Sequence, residues 1–223
     1  LDQNLLITGC CGRIGKQIVK AFSSQYHIIG LDVLPPEKAS KIENYYQVDL
    51  ENEGSVQSAF EKIQKAHGTE ISSVIHLAAY YSFKNQDWEP YQKITIDGTK
   101  RLLTALRNFH VEQFIFSSTQ LVYAPCKLGE KINEQSPIDP KWAYPKSKVI
   151  TEQEILSGHG EMSACILRIA GIYDDTCHSI PLSHQIQRIY EHRLEKNFFP
   201  GNLKHGSPFL HMDDFIRAVS NIV

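Results

Sequence analysis

Short apolar runs alternate along this chain with stretches whose apolar residues return every three or four positions. Leu5-Leu6-Ile7-Thr8 is the first run, and Ile14, Ile18, Val19 and Phe22 then follow helical spacing. His27-Ile28-Ile29-Gly30-Leu31 closes a second run at Asp32. The pattern predicts further strands at 45–48, 73–77, 113–117 and 164–168. Between them it predicts helices carrying Val56, Phe60 and Ile63, a long one over 90–109, and another over 142–156. Strand runs that barely alternate indicate a parallel sheet buried on both faces. Right-handed crossovers then give an α/β, doubly wound sheet of Rossmann type. Its ligands are expected at the carboxyl ends of the strands, a rule that aligns Gly9, Asp32, Asp49, Ala78, Thr119 and Gly171 along one edge.

The alternation fades after residue 170. The expected organisation is a ligand-binding sheet domain over 1–170, a small substrate lobe over 171–207, and a return to the first domain over 208–223. The lobe carries one helical stretch with Leu182, Ile186, Ile189, Tyr190 and Leu194. In the last segment, 209–212 reads as a short strand, with Asp213 as the N-cap of a helix bearing Phe215, Ile216 and Val219. That helix is still running at Val223, and Leu1 is not a start methionine, so further residues are expected at both ends.

The first chemistry lies between the first two strands, where Gly9-Cys10-Cys11-Gly12-Arg13-Ile14-Gly15 joins strand to helix. Glycine alone marks only a turn. Strand, glycine turn, helix, strand and acid in succession form the layout of a dinucleotide site. The backbone comes close to a pyrophosphate, and the helix N-terminus offers it N–H groups and a positive dipole end. Asp32 accepts hydrogen bonds from the ribose hydroxyls, or in the plainer reading caps the turn before Pro35-Pro36. Its carboxylate repels a 2′-phosphate, and Val33-Leu34-Pro35 follow in place of Arg or Lys, so NAD is favoured over NADP. A triphosphate P-loop is disfavoured, because five residues separate Gly9 from Gly15 and Lys16 precedes Gln17 instead of a hydroxyl.

Composition narrows the partners. A net charge of −2 over 223 residues points to no nucleic-acid surface. No apolar stretch approaches the ~20 residues of a membrane helix, and no signal peptide is visible. The odd count of 5 cysteines, with no CxxC pair, suits a reduced, cytoplasmic protein. Cys177-His178 with His184 matches no common zinc spacing, so no metal is expected.

A tyrosine four residues before a lysine on a helix shares a face with it, and the ammonium stabilises the phenolate. Lowering a phenol from ~10 to ~7 takes about 4 kcal/mol. The spacing occurs at Tyr80/Lys84, Tyr123/Lys127 and Tyr144/Lys148. Pro125 argues against a helix in the second pair, and the first directly follows a strand. Tyr144 opens a predicted helix with Pro145 in its tolerated first turn, and it follows the hydroxyl-bearing strand end Ser117-Ser118-Thr119. An isolated pair of this kind would read as an exposed helix surface. Thr119 completes a set in which one hydroxyl holds a substrate oxygen while Tyr144 moves the proton, unless it merely caps Gln120 or Leu121.

These residues, in this order, resemble the extended short-chain dehydrogenase/reductase superfamily, of the NAD-dependent epimerase/dehydratase type. Thr8–Gly15 is similar to its TGxxGxxG turn, Asp49-Leu50 to its adenine-contacting pair, and His76-Leu77-Ala78-Ala79 to its HxAA segment. Ser117-Ser118-Thr119 with Val122-Tyr123, Tyr144-Pro145-Lys146-Ser147-Lys148, Leu167–Tyr173 and His211-Met212-Asp213-Asp214 resemble its remaining motifs. The resemblance implies Thr119 as substrate-orienting hydroxyl, Tyr144 as general acid/base, and Lys148 as both tyrosine tuner and nicotinamide-ribose ligand. Candidate cofactor contacts are Gly9, Gly12, Arg13, Ile14, Gly15, Asp32, Asp49, Leu50, Leu77, Ala78, Ala79, Ser117, Tyr144, Lys148 and Ala170. Candidate substrate contacts are Tyr80, Tyr81, Ser82, Gln120, Ile172, Tyr173 and His178.

The departures matter as well. Thr95 stands where the family usually has Asn, which puts that residue's contacts in question. Gln120-Leu121 follow Thr119 where 4,6-dehydratases have Asp-Glu, so that subclass is disfavoured. Gly171 and Asp174-Asp175 also depart from the pattern, and the run before His211 lacks the usual Arg. The expected function is an NAD-dependent oxidoreductase, or an isomerase of the epimerase kind, acting on a small secondary alcohol or ketone of sugar-like type. A non-catalytic NAD(H) sensor is the rival reading. A mainly structural subunit is a third, with the helices near 90–109 and 142–156 forming a homodimer as the resemblance implies.

Overall fold

The computed structural model of the chain describes residues 3–36, 42–82, 87–127, 129–197 and 206–223. It divides into two compact units, Leu1–Val122 with Pro140–Arg168 and Val223, and Tyr123–Asp139 with Ile169–Ile222.

Unit 1 is built on strands β1 (Asn4–Thr8), β2 (His27–Asp32), β3 (Asn44–Gln47), β4 (Glu70–His76), β5 (His110–Thr119) and β6 (Ser163–Ile169). Their order across the sheet is β3-β2-β1-β4-β5-β6, and the β1–β2, β1–β4, β2–β3 and β4–β5 pairs are parallel. The chain reverses direction across the sheet between β1 and β4, which places the ligand crevice of a doubly wound sheet beside the β1 carboxyl end. The helices are α1 (Arg13–Phe22), α2 (Glu53–His67), α3 (Trp88–Pro90), α4 (Asp97–Leu106) and α5 (Ala143–Gly158). One face of the sheet buries Leu6, Ile29, Leu31, Phe114 and Phe116 with Phe60 and Ile63 of α2, Leu102 and Leu106 of α4, and Ile155 of α5. Alternation sends Leu5, Ile7, Ile28 and Ile115 to the other face, and these are equally buried, as are Ile18, Val19 and Phe22 of α1.

The long helix expected over 90–109 is interrupted. Tyr91–Ile96 forms a π-helical turn between α3 and α4, and α4 ends at Leu106. The widened turn presents Thr95 Oγ1 to the Tyr80 amide at 3.0 Å, so threonine makes a backbone contact at the position where the family's Asn was in question. Thr95 also gives its carbonyl to the Thr99 hydroxyl at 2.6 Å.

Unit 2 holds β7 (Gly171–Tyr173), α6 (Ile180–Tyr190), β8 (Phe209–His211) and α7 (Met212–Ser220). β7 and β8 pair in parallel, within the unit that holds Ile169–Ile222. The helix expected to reach Leu194 stops at Tyr190, because His192 takes a positive φ of 53° that helical backbone does not adopt. The expected N-cap Asp213 is corrected to His211, whose Nδ1 accepts from the Asp213 amide at 3.2 Å. A strand-ending imidazole serves there because Asp213 is already inside the first helical turn. No described helix is long and apolar enough to cross a membrane.

Two histidine nodes make the fold of unit 1 sensitive to acid. Thr99 donates its proton to Thr95 O, so its oxygen accepts from His76 Nε2–H at 2.9 Å. His76 Nδ1 therefore accepts from the Thr8 hydroxyl at 2.6 Å, and the imidazole is neutral. Complete burial pushes its pKa down to about 3, with the Lys148 charge adding to the effect. At the opposite end of the strands, His27 Nε2 meets His67 Nδ1 at 3.1 Å, and burial followed by the His27 charge lowers His67. A histidine whose folded pKa is depressed contributes stability that is present above the unfolded value of ~6.5 and is lost as pH falls below it. Urea denaturation of the wild type is expected to lose about 2 kcal/mol through His76 between pH ~6.5 and ~5, with His67 acting in the same direction. His76→Gln should flatten that slope, and a variant with the wild-type slope would show that His76 is not the titrating group.

Candidate functional site

The turn after β1 is shaped by what its backbone must approach. Gly9 has φ +70°, and a Cβ there would lie 3.0 Å from the Ala78 amide nitrogen. A Cβ on Gly15 would lie 2.2 Å from the Gly9 carbonyl oxygen, so α1 can start against the turn only with glycine at that place. Gly9 N donates to Leu31 O at 2.8 Å and Gly12 N to Gly9 O at 3.0 Å, which locks the turn between β1 and β2. Gly12 is the N-cap of α1 and supplies no side-chain cap, so the opening turn, with Arg13 and Ile14, presents main-chain donors to an anion.

A cavity of about 510 Å³ opens over this turn, lined by Gly9, Cys11, Gly12, Asp32, Asp49, Leu50, Leu77, Ala78 and Ala79, among others. Its volume lies within the range of cofactor pockets. Asp32 ends β2 with its carboxylate in that wall. Oδ2 accepts from Cys11 N at 2.9 Å and Oδ1 from Leu34 N at 3.1 Å. The turn-capping role is therefore real, yet each oxygen keeps a lone pair for a ribose hydroxyl. Asp49 Oδ1 accepts from Glu51 N at 2.9 Å, and Leu50 is buried beside it. Leu77 N and Ala78 N both donate to Thr8 Oγ1 at 3.2 Å, which ties the Leu77–Ala79 wall to the glycine turn through the His76 node. A cradle that only glycine backbone fits, a helix opening and an acid at the next strand end suit a dinucleotide. A second cavity of about 360 Å³ lies between α2 and α4, lined by Glu61, Arg101 and Phe109, and takes no part in this arrangement.

The candidate proton-handling residues meet at the end of β5. Thr119 closes that strand, and α5 begins at Ala143, which puts Tyr144 and Pro145 in its first turn. The Thr119 hydroxyl lies close enough to the Tyr144 phenol to act on it, and it also accepts from Leu121 N at 3.3 Å, the loop-capping contact. Lys148 is buried, with Nζ donating to Ser117 O at 2.7 Å and lying 5.8 Å from the Tyr144 ring centre and 4.5 Å from that of Phe116. Burial lowers its pKa to about 7 against the opposing pull of Glu152. Burial also raises the Tyr144 phenol, with Tyr81 next in effect and the Thr119 hydrogen bond opposing. The chain alone thus does not lower this phenol, and one of the three ammonium donors goes to the β5 carbonyl. Ser117 donates its own hydroxyl to His76 O at 3.1 Å.

Tyr81, 52 % exposed, sets its ring edge-on to Tyr144 with centres 4.9 Å apart, and Tyr80 meets Tyr91 in the same way at 4.9 Å. Burial, with Tyr91 adding, pushes Tyr81 up to about 12. Ser82 O accepts from the Tyr91 hydroxyl at 3.1 Å, and Gln120 opens a short 3-10 turn. The Lys84 half of the Tyr80/Lys84 pair lies outside the described residues. Ala170, Ile172, Tyr173 and His178 belong to unit 2. There Tyr173 packs edge-on to His211 at 5.1 Å, and His178 Nδ1 lies 3.0 Å from Asp174 Oδ2.

One functional group escapes the sequence reading. Glu152, one turn beyond Lys148, is buried and receives the Ser118 hydroxyl together with a two-pronged Arg168 guanidinium, Nη2 to Oε2 at 2.7 Å and Nε to Oε1 at 3.2 Å. It clamps the β5 end, α5 and β6 together beneath Lys148. The helical interval Tyr144, Lys148, Glu152 was the available signal.

The description "NAD dependent epimerase/dehydratase family" matches residues 5–223. Short-chain dehydrogenase/reductase family 42E member 1 of Bos taurus is 26% identical over 97% of this chain. The chain spans 57% of that relative's length. UDP-glucuronate 4-epimerase of Thermodesulfobacterium geofontis is 25% identical, with 96% of this chain and 69% of the relative covered. Among solved structures, UDP-glucuronic acid 4-epimerase from Bacillus cereus, in complex with UDP-glucuronic acid and NAD, superposes with a TM-score of 0.78. At 22% identity, over 99% of this chain and 73% of that one, this likeness bears on the fold.

The Gly15–Gly9 approach gives a direct test of the turn. Gly15→Ala must displace backbone, a strain of about 1–3 kcal/mol. The expected result is a lower melting temperature and at least tenfold weaker NAD binding by calorimetry; wild-type affinity would show that the turn does not hold the cofactor.

Proposed function

The chain belongs to the NAD dependent epimerase/dehydratase family, and from that premise we propose that it oxidises a secondary alcohol or reduces a ketone of sugar-like type, as an NAD-dependent oxidoreductase or epimerase. The observation that carries the reading is the meeting of Thr119, Tyr144 and Lys148 at the carboxyl edge that also bears the glycine turn and Asp32. The family is NAD-dependent, and NAD supplies hydride acceptance and return when bound. Gly9, Gly12, Gly15 and the α1 opening hold its pyrophosphate, with Arg13 and Ile14 alongside. Asp32 takes the adenosine ribose, and Asp49 and Leu50 border the adenine. Leu77, Ala78, Ala79, Ser117 and Ala170 are the remaining proposed contacts, and Lys148 binds the second ribose.

Tyr144 is the proton carrier in this scheme. In the oxidation, the substrate hydroxyl gives its proton to the Tyr144 phenolate while its carbon gives up a hydride, leaving a carbonyl; reduction reverses both transfers. Thr119 holds the substrate oxygen from the other side. Because burial alone raises the phenol, phenolate formation depends on positive charge brought near it, and the Lys148 ammonium is the chain's own contribution. Tyr80, Tyr81, Ser82, Gln120, Ile172, Tyr173 and His178 are the proposed substrate contacts. An intact Thr119, Tyr144 and Lys148 set speaks against a purely non-catalytic sensor, which needs only the cofactor turn.

The relatives' names cover UDP-glucuronate and, for a Mus musculus relative, a 3 beta-hydroxysteroid. An alcohol panel with NAD therefore spans sugars and sterols. Net NADH absorbance identifies a dehydrogenase, and product without net NADH identifies an epimerase. Tyr144→Phe should lower kcat/KM by about 10²-fold or more at saturating NAD; unaltered turnover would remove Tyr144 from the mechanism. A homodimer through the outer faces of the 88–106 and 143–158 helices, and a cytoplasmic location, belong to the same proposal. Sedimentation equilibrium should give twice the chain mass, and a monomer at assay concentration would end the dimer reading.

A further inference from the structure

Cys10 and Cys11 occupy the phosphate turn side by side, and nothing in the proposed reaction uses their sulfurs. Their Sγ atoms lie 3.9 Å apart, and no disulfide joins them. Two thiolates on one tetrahedral zinc-class ion, each bond ~2.3 Å long, place their sulfurs about 3.75 Å from one another. The turn therefore holds the pair at the edge length of a metal tetrahedron. A third donor is already in place, because one Asp32 carboxylate oxygen and both sulfurs all lie within 4.8 Å of one another. Among the described residues this is the one cluster of three such donors. Zinc-bound oxygen and sulfur lie ~3.5 Å apart, so the carboxylate has to close by at most about 1.3 Å.

The surroundings keep the geometry fixed. Cys10 is fully buried, and its Sγ packs so close to β2 that a Cβ on Gly30 would lie 3.0 Å from it. Cys11 borders the cofactor cavity, and its amide is bonded to Asp32 at 2.9 Å. The Asp32 side chain is thus shared between the dithiol and the wall that would receive the adenosine ribose.

We propose that Cys10, Cys11 and Asp32 form a site for a thiophilic divalent cation of the zinc class, and that this cation and NAD exclude each other. The ion takes two thiolates and one carboxylate, keeps a water from the cavity as its fourth ligand, and releases two thiol protons on binding. Burial holds the Cys10 thiol above its usual range. Oxygen-seeking ions such as Mg²⁺ gain little there, whereas a thiophilic ion displaces the protons and binds more tightly as pH rises. Exclusion follows from the double use of Asp32 and rests on the NAD reading above; the site itself does not.

The test uses the full chain and Cd²⁺ as probe, titrated without NAD and read by the ultraviolet thiolate-to-cadmium band and by calorimetry. One ion per chain with two thiolates is expected, with affinity at least tenfold lower in Cys11→Ser and in Cys10→Ala. Circular dichroism identifies any variant that fails to fold. Cys11→Ser, whose side chain is only half-buried, keeps the test open if Cys10→Ala does not fold. A band of undiminished size in Cys11→Ser assigns the ion to Cys126, Cys165 or Cys177 and overturns the proposal. In a second arm, saturating NAD, its binding verified separately by calorimetry, should weaken Cd²⁺ at least tenfold. Undiminished Cd²⁺ binding on an NAD-loaded chain overturns the exclusion. Failure of NAD to bind in that control overturns the cofactor reading while the first arm still decides the metal site.

Discussion

The cofactor turn depends on a buried hydrogen-bond chain that only a neutral imidazole completes. His76 ends β4, accepts from Thr8 at the end of β1 and donates to Thr99 in α4. Thr8 in turn receives the Leu77 and Ala78 amides. β1, β4 and α4 are thus fastened at one ring with both of its nitrogens partnered. A charged ring would carry two donors toward the same hydroxyls, and its burial would leave that charge unsolvated. The node also fixes how closely Gly9 approaches Ala78, which is the contact that excludes any side chain from that part of the turn.

A second buried assembly supports the chemistry from below. Lys148 places its ammonium on the Ser117 carbonyl, and Glu152 one turn later takes Ser118 and Arg168. The two interactions grip successive residues of β5 from one face of α5 and so hold Thr119 in register with Tyr144. A buried ion pair adds little net stability, but removal of one partner is costly, so such a pair acts chiefly to specify geometry. Here the geometry specified is the junction between the end of β5 and the start of α5.

The same edge of the sheet carries charge of opposite sign at two places. Lys148 provides a cation near the proton carrier, while Asp32 and the Cys10-Cys11 dithiol form an electron-rich corner beside α1. In the proposed binding mode a dinucleotide would span both kinds of environment, with hydroxyls for the acid and a phenol and ammonium near its reactive end. That division follows from the doubly wound topology, which brings the ends of β1, β2, β4 and β5 to one edge.

Much of this was legible in the chain itself. Apolar runs set against helical spacing determined the parallel sheet and its helices. Glycines at 9, 12 and 15 with Asp32 marked the tight turn between β1 and α1, and the Tyr144–Lys148 interval marked one face of α5 as the candidate for chemistry, because each of these is a local pattern of backbone or helix geometry. Tertiary structure alone decided the rest. His76 meets Thr8 across 68 positions, Ser118 meets Glu152 across 34, and Cys11 meets Asp32 across 21. The π turn at Tyr91–Ile96, the His211 cap and the pairing of β7 with β8 likewise depend on neighbours distant in sequence or on local hydrogen-bond competition. Periodicity records which side of an element is apolar; it carries no information about which polar groups burial will bring within hydrogen-bond reach.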